Sequence, residues 1–467
     1  MTVTRRDLLA AALLLCAPLA LVAQDEKPCA LAFTGVVRGG VVTTHMTALT
    51  TGSGGRNTFI GGGVDATCEG QGNRLLADSA EHYAERGELI LIARVRYSEP
   101  RMTMQSNRMI YYSTEDRLLA TGNVRGRSSS GTRFEGPQME YFRAKPGVRP
   151  VPWWRAPGRP FVRMSPTATG STGGTTARAP SGATVPGDSV DLRADLVISE
   201  NDSLVWASGN VVIERTDLRA TADSATLDQG REFARLLRKP EIVGRGERAF
   251  TLVGTVIDLW SKSQKLERVR ADGEAKVTSD SLTLVGDTID LRLAAQQIER
   301  VFAWGKRATA DAPAQRLEAD SLDIRMPGQR LHLVNAVGRA IAYSVVDTLK
   351  IVTDERDWIA GDTIVARFDS AGTTDSADSA DSAGGARMRE VVSTGSARAF
   401  YQLAPSNGER GAPNLSYNRG RVITVNFAEG AVRDVAVQEK ASGIFMEPVP
   451  VDTTKRAAAA RPAGRRP

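Results

Sequence analysis

Apolar and polar residues alternate in several related segments along the second half of the chain. Counted from an opening Gly or Ala, the third, fifth and seventh following residues are apolar. One segment has Ile289, Leu291 and Leu293 at these positions, and the next has Leu322 and Ile324 at the first two. Since successive side chains of a strand point to opposite faces, each segment predicts a β-strand with one apolar and one polar face.

The segments recur with fixed spacing. Each copy contains two short sequence motifs. The first, the opening phrase, begins at Gly254, Gly286, Ala319 or Gly361, and the second, the answering phrase, ends at Gly273, Gly305, Gly338 or Gly395. Opening and closing residues lie 19 positions apart in the first three copies and 34 apart in the fourth, which carries a low-complexity insertion of Asp, Ser and Ala. Regular spacing of this kind is typical of stacked β architectures, in which no repeat buries its apolar face alone.

The predicted fold class is all-β, a jellyroll or taco-shaped roll built from antiparallel repeat hairpins in two repeat regions. A β-helix fits the same alternation, but the two phrases differ and are joined by turn signals, as successive hairpin strands would be. The sequence leaves open whether the apolar faces fill a sealed core or enclose a groove, and on packing alone a sealed core is favoured.

Composition divides the chain into five parts. Residues 1–23 are predicted to be a signal peptide, in which Arg5 and Arg6 precede an apolar run, and both the general secretory and the twin-arginine routes remain open. Residues 29–144 form a first β region, 145–187 a flexible linker rich in Pro, Gly, Ser and Thr, 188–448 the repeat region, and 449–467 a disordered basic tail. Trp153 and Trp154 are exceptions within the linker, and they either pack on a sheet end or contact a lipid or partner.

Charge and chemistry argue against several functional classes. The net charge of +6 is spread along the strands, with aromatic residues at 6%, whereas nucleic-acid proteins concentrate positive charge in one patch. The three histidines are scattered, and no nucleophile, zinc-protease or phosphate-loop motif occurs, so we expect no enzyme, no cofactor and no metal site. Cys29 and Cys68 form a candidate disulfide in an exported chain, with two free thiols as the alternative.

Three phrases resemble the OstA/LptA family of periplasmic lipopolysaccharide-transport proteins. The first is an Ala-Asp-Ser-Ala opening at Ala77, which recurs at Ala222. The others are the Gly-Asn-Val steps at Gly122 and Gly209, each of which follows a short apolar stretch. The resemblance covers most of the chain after the signal peptide and implies a β-jellyroll without catalytic activity.

The resemblance implies a lipid-binding bridge protein of the periplasm. Such a protein holds the acyl chains of lipopolysaccharide or a related glycolipid in an apolar groove and docks to inner- and outer-membrane transport components by β-strand augmentation. A head-to-tail homo-oligomer and association with the outer membrane also fit it. The length of the chain and its two regions indicate a fused or self-bridging version.

Candidate groove residues are the inward-facing aliphatics of the repeats, each of which plain core packing explains equally well. They are Ile289, Leu291, Leu293, Ile298, Val301, Leu322, Ile324, Leu331 and Val334. The rival function is a non-catalytic structural or adhesive β-repeat protein of the cell envelope.

Overall fold

The computed structural model describes residues 31–38, 40–68, 72–165, 189–245, 249–263, 265–280, 282–370, 386–405, 409–428 and 431–448. Apart from two short 3-10 turns, Ala84–Arg86 and Pro327–Gln329, the regular structure of these residues is β-strand. The strands pair antiparallel in every ladder, so the predicted all-β roll of antiparallel hairpins is confirmed. The chain divides into two compact units, unit 1 up to Ala156 and unit 2 from Pro157.

Unit 1 contains the first thirteen strands. They are β1 (Leu31–Thr34), β2 (Val37–Arg38), β3 (Val41–Val42), β4 (His45–Thr50), β5 (Arg56–Gly61), β6 (Val64–Cys68), β7 (Asn73–Ala77), β8 (Ser79–Tyr83), β9 (Glu88–Ser98), β10 (Met102–Tyr112), β11 (Arg117–Ser128), β12 (Arg133–Phe142) and β13 (Trp153–Pro157). Strands β9 to β13 form a meander, in which each pairs with the next. On the other side of β9, its two ends pair separately with β7 and β8.

Unit 2 contains the remaining strands. They are β14 (Phe161–Met164), β15 (Val190–Arg193), β16 (Leu196–Glu200), β17 (Leu204–Glu214), β18 (Leu218–Asp228), β19 (Phe233–Leu237), β20 (Glu241–Gly244), β21 (Phe250–Val253), β22 (Val256–Lys262), β23 (Lys265–Ser279), β24 (Thr283–Ala294), β25 (Gln297–Ala312), β26 (Gln315–Arg325), β27 (Leu333–Ser344), β28 (Asp357–Ser370), β29 (Ala386–Leu403), β30 (Asn414–Ala428), β31 (Ala431–Gln438) and β32 (Ser442–Met446). From β23 to β30, each long strand pairs with the next along the chain.

Each long strand of unit 2 has two parts, and each part belongs to a different half of the roll. Short strands at both ends of the series show this division, because they pair with only one part of a long neighbour. Half A includes β16, β19, β22 and β31, and half B includes β15, β20, β21 and β32. The halves pack face to face, as Ala397 and Ala399 of half B do against Ile423 of half A.

The recurring glycines mark the bends between the halves. Gly338 and the following Arg339 both have positive φ angles, 85° and 48°, and the register of β26 with β27 shifts at this point. A Cβ atom on Gly338 would lie 2.5 Å from a carboxylate oxygen of Asp320, the second residue of the opening phrase on the neighbouring strand. The same contact recurs between Gly305 and Asp287. The two phrases recur together because they form the two sides of one β-bulge.

The linker predicted for residues 145–187 is wrong over its first part. Strands β13 and β14 lie within it, and Trp154 is buried with its ring centroid 5.7 Å from that of Phe134. Trp153 stacks on Phe142 at 4.0 Å. The two indoles supply the apolar area that the surrounding Pro and Gly residues lack, and this area offsets the entropy of ordering the segment. Residues 166–188, the predicted signal peptide at 1–23 and the predicted tail at 449–467 lie outside the described residues.

Candidate functional site

The predicted groove residues all lie in half A of unit 2, and their exposure is graded. Six are buried and form the interior face of the half: Ile289, Leu291, Val301, Leu322, Ile324 and Val334. Leu293, Ile298 and Leu331 are only half-buried, and Leu293 pairs directly with Ile298 beside the turn between β24 and β25. The apolar interior of half A therefore becomes partly accessible toward its hairpin ends.

Small side chains line the facing half B. Ala308, Ala319 and Ala340 are fully buried there, and Ala310 and Ala342 follow them at alternate positions. This alanine pattern was missed at the sequence level, although Ala at alternate positions after Gly305, Gly338 and Gly395 was a visible signal. Alanine fills less of the space between two packed faces than leucine or isoleucine does.

A cavity of about 110 Å³ lies between the two halves near the start of unit 2. Both ends of the bent strand β18 contribute to it, with Leu218 from half B and Leu227 from half A. Leu236, Leu259 and Leu266 complete an apolar lining, and the nine predicted groove residues are absent from it. This cavity therefore lies on the N-terminal side of the predicted site, and its lining extends to Leu266 on β23, the strand next to β24.

Polar groups surround this cavity at the turns that flank β18. Arg215 binds Asp217 of its own turn at 3.0 Å, and Arg231 contacts Asp228 of its own turn at 3.6 Å. The side-chain nitrogen Nε2 of Gln229, also in the lining, is buried without a hydrogen-bond partner among the described residues. A buried donor in this state costs roughly 1–3 kcal/mol, so it favours an acceptor group at this position.

An arginine row crosses the outer face of half A. Its members lie directly opposite one another on four consecutive strands, β23 to β26: Arg268, Arg292, Arg300 and Arg325. Neighbouring strands are about 4.8 Å apart, so the row spans roughly 14 Å. Like charges directly opposite on adjacent strands destabilise a sheet. The row therefore requires compensating groups.

Aspartates beneath the row supply part of this compensation. Asp290, only 2% exposed, accepts hydrogen bonds from Arg268 Nε at 3.0 and 3.1 Å. Asp323 accepts two from Arg300 at 2.8 Å, and these bonds lower the pKa of Asp323 below its usual value. Each carboxylate is therefore already engaged by one arginine of the row.

Arg292 and Arg325 are held less closely. Arg292 approaches Asp290 at 4.0 Å and Arg325 approaches Asp323 at 3.7 Å, and their side chains are 56% and 47% exposed. The Arg292 guanidinium also lies 5.1 Å from the centroid of the Phe302 ring, which Arg300 contacts at 4.2 Å. Cation–π contacts of this kind fix the orientation of a guanidinium without neutralising its charge.

Unit 1 contains a different arrangement, which we call the seam network. It consists of Tyr97, Glu99, Tyr111, Asp116, Tyr141 and Arg143. Glu99, from the turn between β9 and β10, accepts a hydrogen bond from Tyr97 at 2.7 Å and one from Arg143 at 3.1 Å. Tyr141, on the far end of β12, also donates to Glu99. The network thereby joins the two ends of the bent strands of unit 1.

The tyrosines of the seam network are buried, and its charged side chains are partly buried. Tyr111 donates to Asp116 at 2.9 Å, and Arg143 contacts the same carboxylate at 3.4 Å. Burial raises the pKa of Tyr97, with a further contribution from the charge of Glu99, and burial together with Asp116 does the same for Tyr111. Tyr97 and Tyr111 therefore remain protonated donors at physiological pH, and each donates to one carboxylate of the network.

Both ends of the strand series expose apolar edges. In unit 2, strand β32 pairs with β30 alone among the described strands, and Ile444, Phe445 and Met446 are exposed on it. In unit 1, β4 pairs with β5 alone among the described strands, with Met46 and Leu49 exposed. Unpaired strand edges are templates for pairing with another chain.

The remaining predicted sites gain little from the structure. Cys29 lies outside the described residues, and Cys68 ends β6 opposite Leu31, so the disulfide stays a prediction. Within the described ranges, no group of three or more potential ligands could hold a metal ion. The described part of the chain also contains no helix of sufficient length and apolarity to cross a membrane.

Comparison with known proteins gives a likeness at the level of structure. No family model matches the chain, and no curated protein matches it. The chain is similar to LptH, described as the LptA-homologous periplasmic component of the conserved lipopolysaccharide transport device from Pseudomonas aeruginosa. The sequence identity is 18%, the match covers 25% of this chain and 82% of LptH, and the TM-score is 0.22. A likeness of this size carries no argument about function, which we therefore argue from the geometry.

Proposed function

We propose that the protein is a lipid-binding bridge protein of the periplasm, without catalytic activity, which holds the acyl chains of lipopolysaccharide or a similar glycolipid on their way to the outer membrane. The observation that carries this proposal is the graded exposure of half A. Its aliphatic face is buried in the middle, at Leu291 and Ile324, and half-exposed at the hairpin ends, at Leu293 and Leu331.

An interior of this kind suits an acyl chain. Transfer of apolar surface out of water is worth about 0.8 kcal/mol per methylene, so a few methylenes placed against Leu293 and Ile298 give useful affinity. The alanines of half B limit the volume that the chain must displace. The cavity beside Leu266 provides a place where such a chain begins to enter the roll.

The exposed edges of β4 and β32 suit the bridging part of the proposal. Addition of a strand to either edge would satisfy its open backbone groups and cover apolar side chains such as Met46 or Phe445. The partners would be inner- and outer-membrane transport components or, head to tail, a second copy of this chain.

The half-buried residues Leu293, Ile298 and Leu331 form what we call the lip of half A. The test is a substitution at this lip. Leu293→Glu should weaken binding of a spin-labelled fatty acid at least tenfold, because it places a charge where the chain lies, and should change the free energy of unfolding little. Leu349→Glu is the matched control, since Leu349 is 83% exposed in the same unit. Unchanged fatty-acid binding by the Leu293→Glu variant would contradict the proposal.

A structural or adhesive β-repeat protein is the second candidate, and one observation favours it. Leu291 and Leu322 are each only 1% exposed, as in a filled core. Mass spectrometry of organic extracts from protein purified out of its native host distinguishes the two functions. Acyl lipid in the extract supports the carrier, and its absence under conditions that preserve complexes supports the scaffold.

A further inference from the structure

We propose that the arginine row of half A binds the phosphate of an anionic amphiphile whose apolar chain enters the roll beside it. This inference rests on the proposed function, because it assigns the head group of the same ligand. It concerns residues on the outer face of the sheet, whereas the chain would lie on the inner face.

Position is the first argument. The row lies close to the hairpin ends of half A, since Arg292 precedes Leu293 directly and Arg325 is the last residue of β26. Because successive side chains point to opposite faces, the guanidinium of Arg292 and the half-exposed side chain of Leu293 lie on opposite sides of the same lip. An amphiphile that bends over this lip would place its head group on arginines and its chain on aliphatics.

Charge is the second argument. The carboxylates of Asp290 and Asp258 are buried in the sheet, and each receives close hydrogen bonds from an arginine, Arg268 and Arg235 respectively. Arg292 and Arg325 extend further from the surface, with their nearest carboxylates at 4.0 and 3.7 Å. The surface presented to a ligand is therefore cationic, although the charges of the whole face are nearly balanced.

Arginine chemistry supplies the specificity. The planar guanidinium donates two parallel hydrogen bonds to a phosphate, and contact with the Phe302 ring holds Arg292 in a fixed orientation. Two such groups on alternate strands, about 10 Å apart, would suit a head group with one or two phosphates. A phosphate would also relieve the repulsion between opposed arginines.

The test compares two amphiphiles with the same alkyl chain, dodecyl phosphate and the neutral octaethylene glycol monododecyl ether. With the full-length protein at low ionic strength, we expect dodecyl phosphate to bind at least tenfold more tightly, and this advantage to shrink as salt is added. In the R292Q/R325Q variant the advantage should disappear while binding of the neutral ether is unchanged. R356Q/R398Q, which removes two exposed arginines elsewhere in unit 2, should keep the advantage. R292K/R325K should restore part of it.

The outcomes separate the two proposals. Equal binding of the two amphiphiles by the native protein, or an advantage that survives in R292Q/R325Q, overturns the head-group site and leaves the carrier function standing. Binding of neither amphiphile overturns both. Pyrophosphate binding as tight as that of dodecyl phosphate would show a site for free phosphate and overturn the assignment to a lipid head group.

Discussion

The two units differ in how the facing ends of their bent strands are connected. Both contain strands that bend at bulges, so that the two ends of each strand face one another. In unit 1 these ends are joined by hydrogen bonds of the seam network, with Glu99 on one side and Tyr141 and Arg143 on the other. In unit 2 the turns that flank β18 pair within themselves, at Arg215 with Asp217 and at Arg231 with Asp228, and a cavity lies between them.

This difference indicates that the two units have different roles. A buried ion pair contributes little net stability because desolvation offsets its attraction, but removal of one partner is costly. The seam network therefore acts as a specific closure of unit 1 more than as a source of stability. Unit 2 has half-exposed aliphatics at the hairpin ends of half A and an arginine row on the outer face of that half. Under the proposed carrier function, we expect ligand to enter through unit 2.

The substitution with the largest expected effect on the difference between the units is Glu99→Ala. It removes the carboxylate that accepts hydrogen bonds from Arg143 Nε and from the buried hydroxyls of Tyr97 and Tyr141, so we expect the free energy of unfolding of unit 1 to fall by about 3–5 kcal/mol. Hydrogen exchange should accelerate in the peptides that contain Tyr97 and Tyr141. Asp217→Ala in unit 2 is the control and should cost less than about 1 kcal/mol, because its ion pair lies within one turn. Equal effects of the two substitutions would show that the seam network does not distinguish the units.

A second experiment compares depth within half A. Leu291→Ala removes a fully buried side chain and should destabilise unit 2 by about 2–5 kcal/mol, measured by denaturant unfolding. Leu293→Ala, two residues nearer the hairpin end on the same face, should cost roughly 1 kcal/mol, since it is already partly in contact with water. Similar losses at the two positions would mean that unit 2 is sealed to its ends.

The sequence predicts most of the fold but less of the candidate site. Alternation at Ile289 and Leu291 identifies the strands and their inner face, and the spacing of Gly305 and Gly338 identifies the repeat. The arginine row was not predicted, although Arg292 and Arg325 occupy equivalent positions in their repeats. Their alignment with Arg268 and Arg300 depends on the register of three ladders, which bulges shift. Register is a property of pairing, and a single sequence specifies it only indirectly.

The seam network was also missed, for a different physical reason. Glu99 and Tyr141 are 42 residues apart and belong to different hairpins, so no local pattern connects them. Charged residues are almost never buried unless they are paired, and their partners become visible only in three dimensions. The segment around Trp153 and Trp154 has the Pro and Gly content of a linker, and the sequence left open whether the two indoles pack on a sheet end or contact a lipid or partner. The packing of Trp154 on Phe134 overrides that composition.

A third experiment tests the bulges that bend the strands, by comparing substitution of a glycine in a bulge with substitution of a glycine in a turn. Gly338→Ala would place a Cβ atom 2.5 Å from the side chain of Asp320 at a φ of 85°, so we expect a loss of about 1–3 kcal/mol in unit 2. Gly328→Ala is the control, because it also has a positive φ but nothing lies within 4 Å of the added atom. A larger loss at Gly338 in thermal unfolding would separate the steric cost of the bulge from backbone strain alone. Equal losses would mean that the contact with Asp320 yields freely.

The smallest expected effect concerns the carboxylates beneath the arginine row. Hydrogen bonds from Arg300 lower the pKa of Asp323 in the folded state below its usual value. A group with a lowered folded pKa stabilises the fold above its unfolded pKa, and this stabilisation is lost as the pH falls through the folded pKa. Asp323→Asn should therefore reduce the stability of unit 2 near neutral pH and flatten its decline below about pH 4. Chemical denaturation across this pH range measures both effects, with exposed Asp354→Asn as the control. An acid profile of Asp323→Asn identical to that of the native protein would mean that Arg300 does not stabilise this carboxylate. The arginine row would then carry more uncompensated positive charge than the structure indicates.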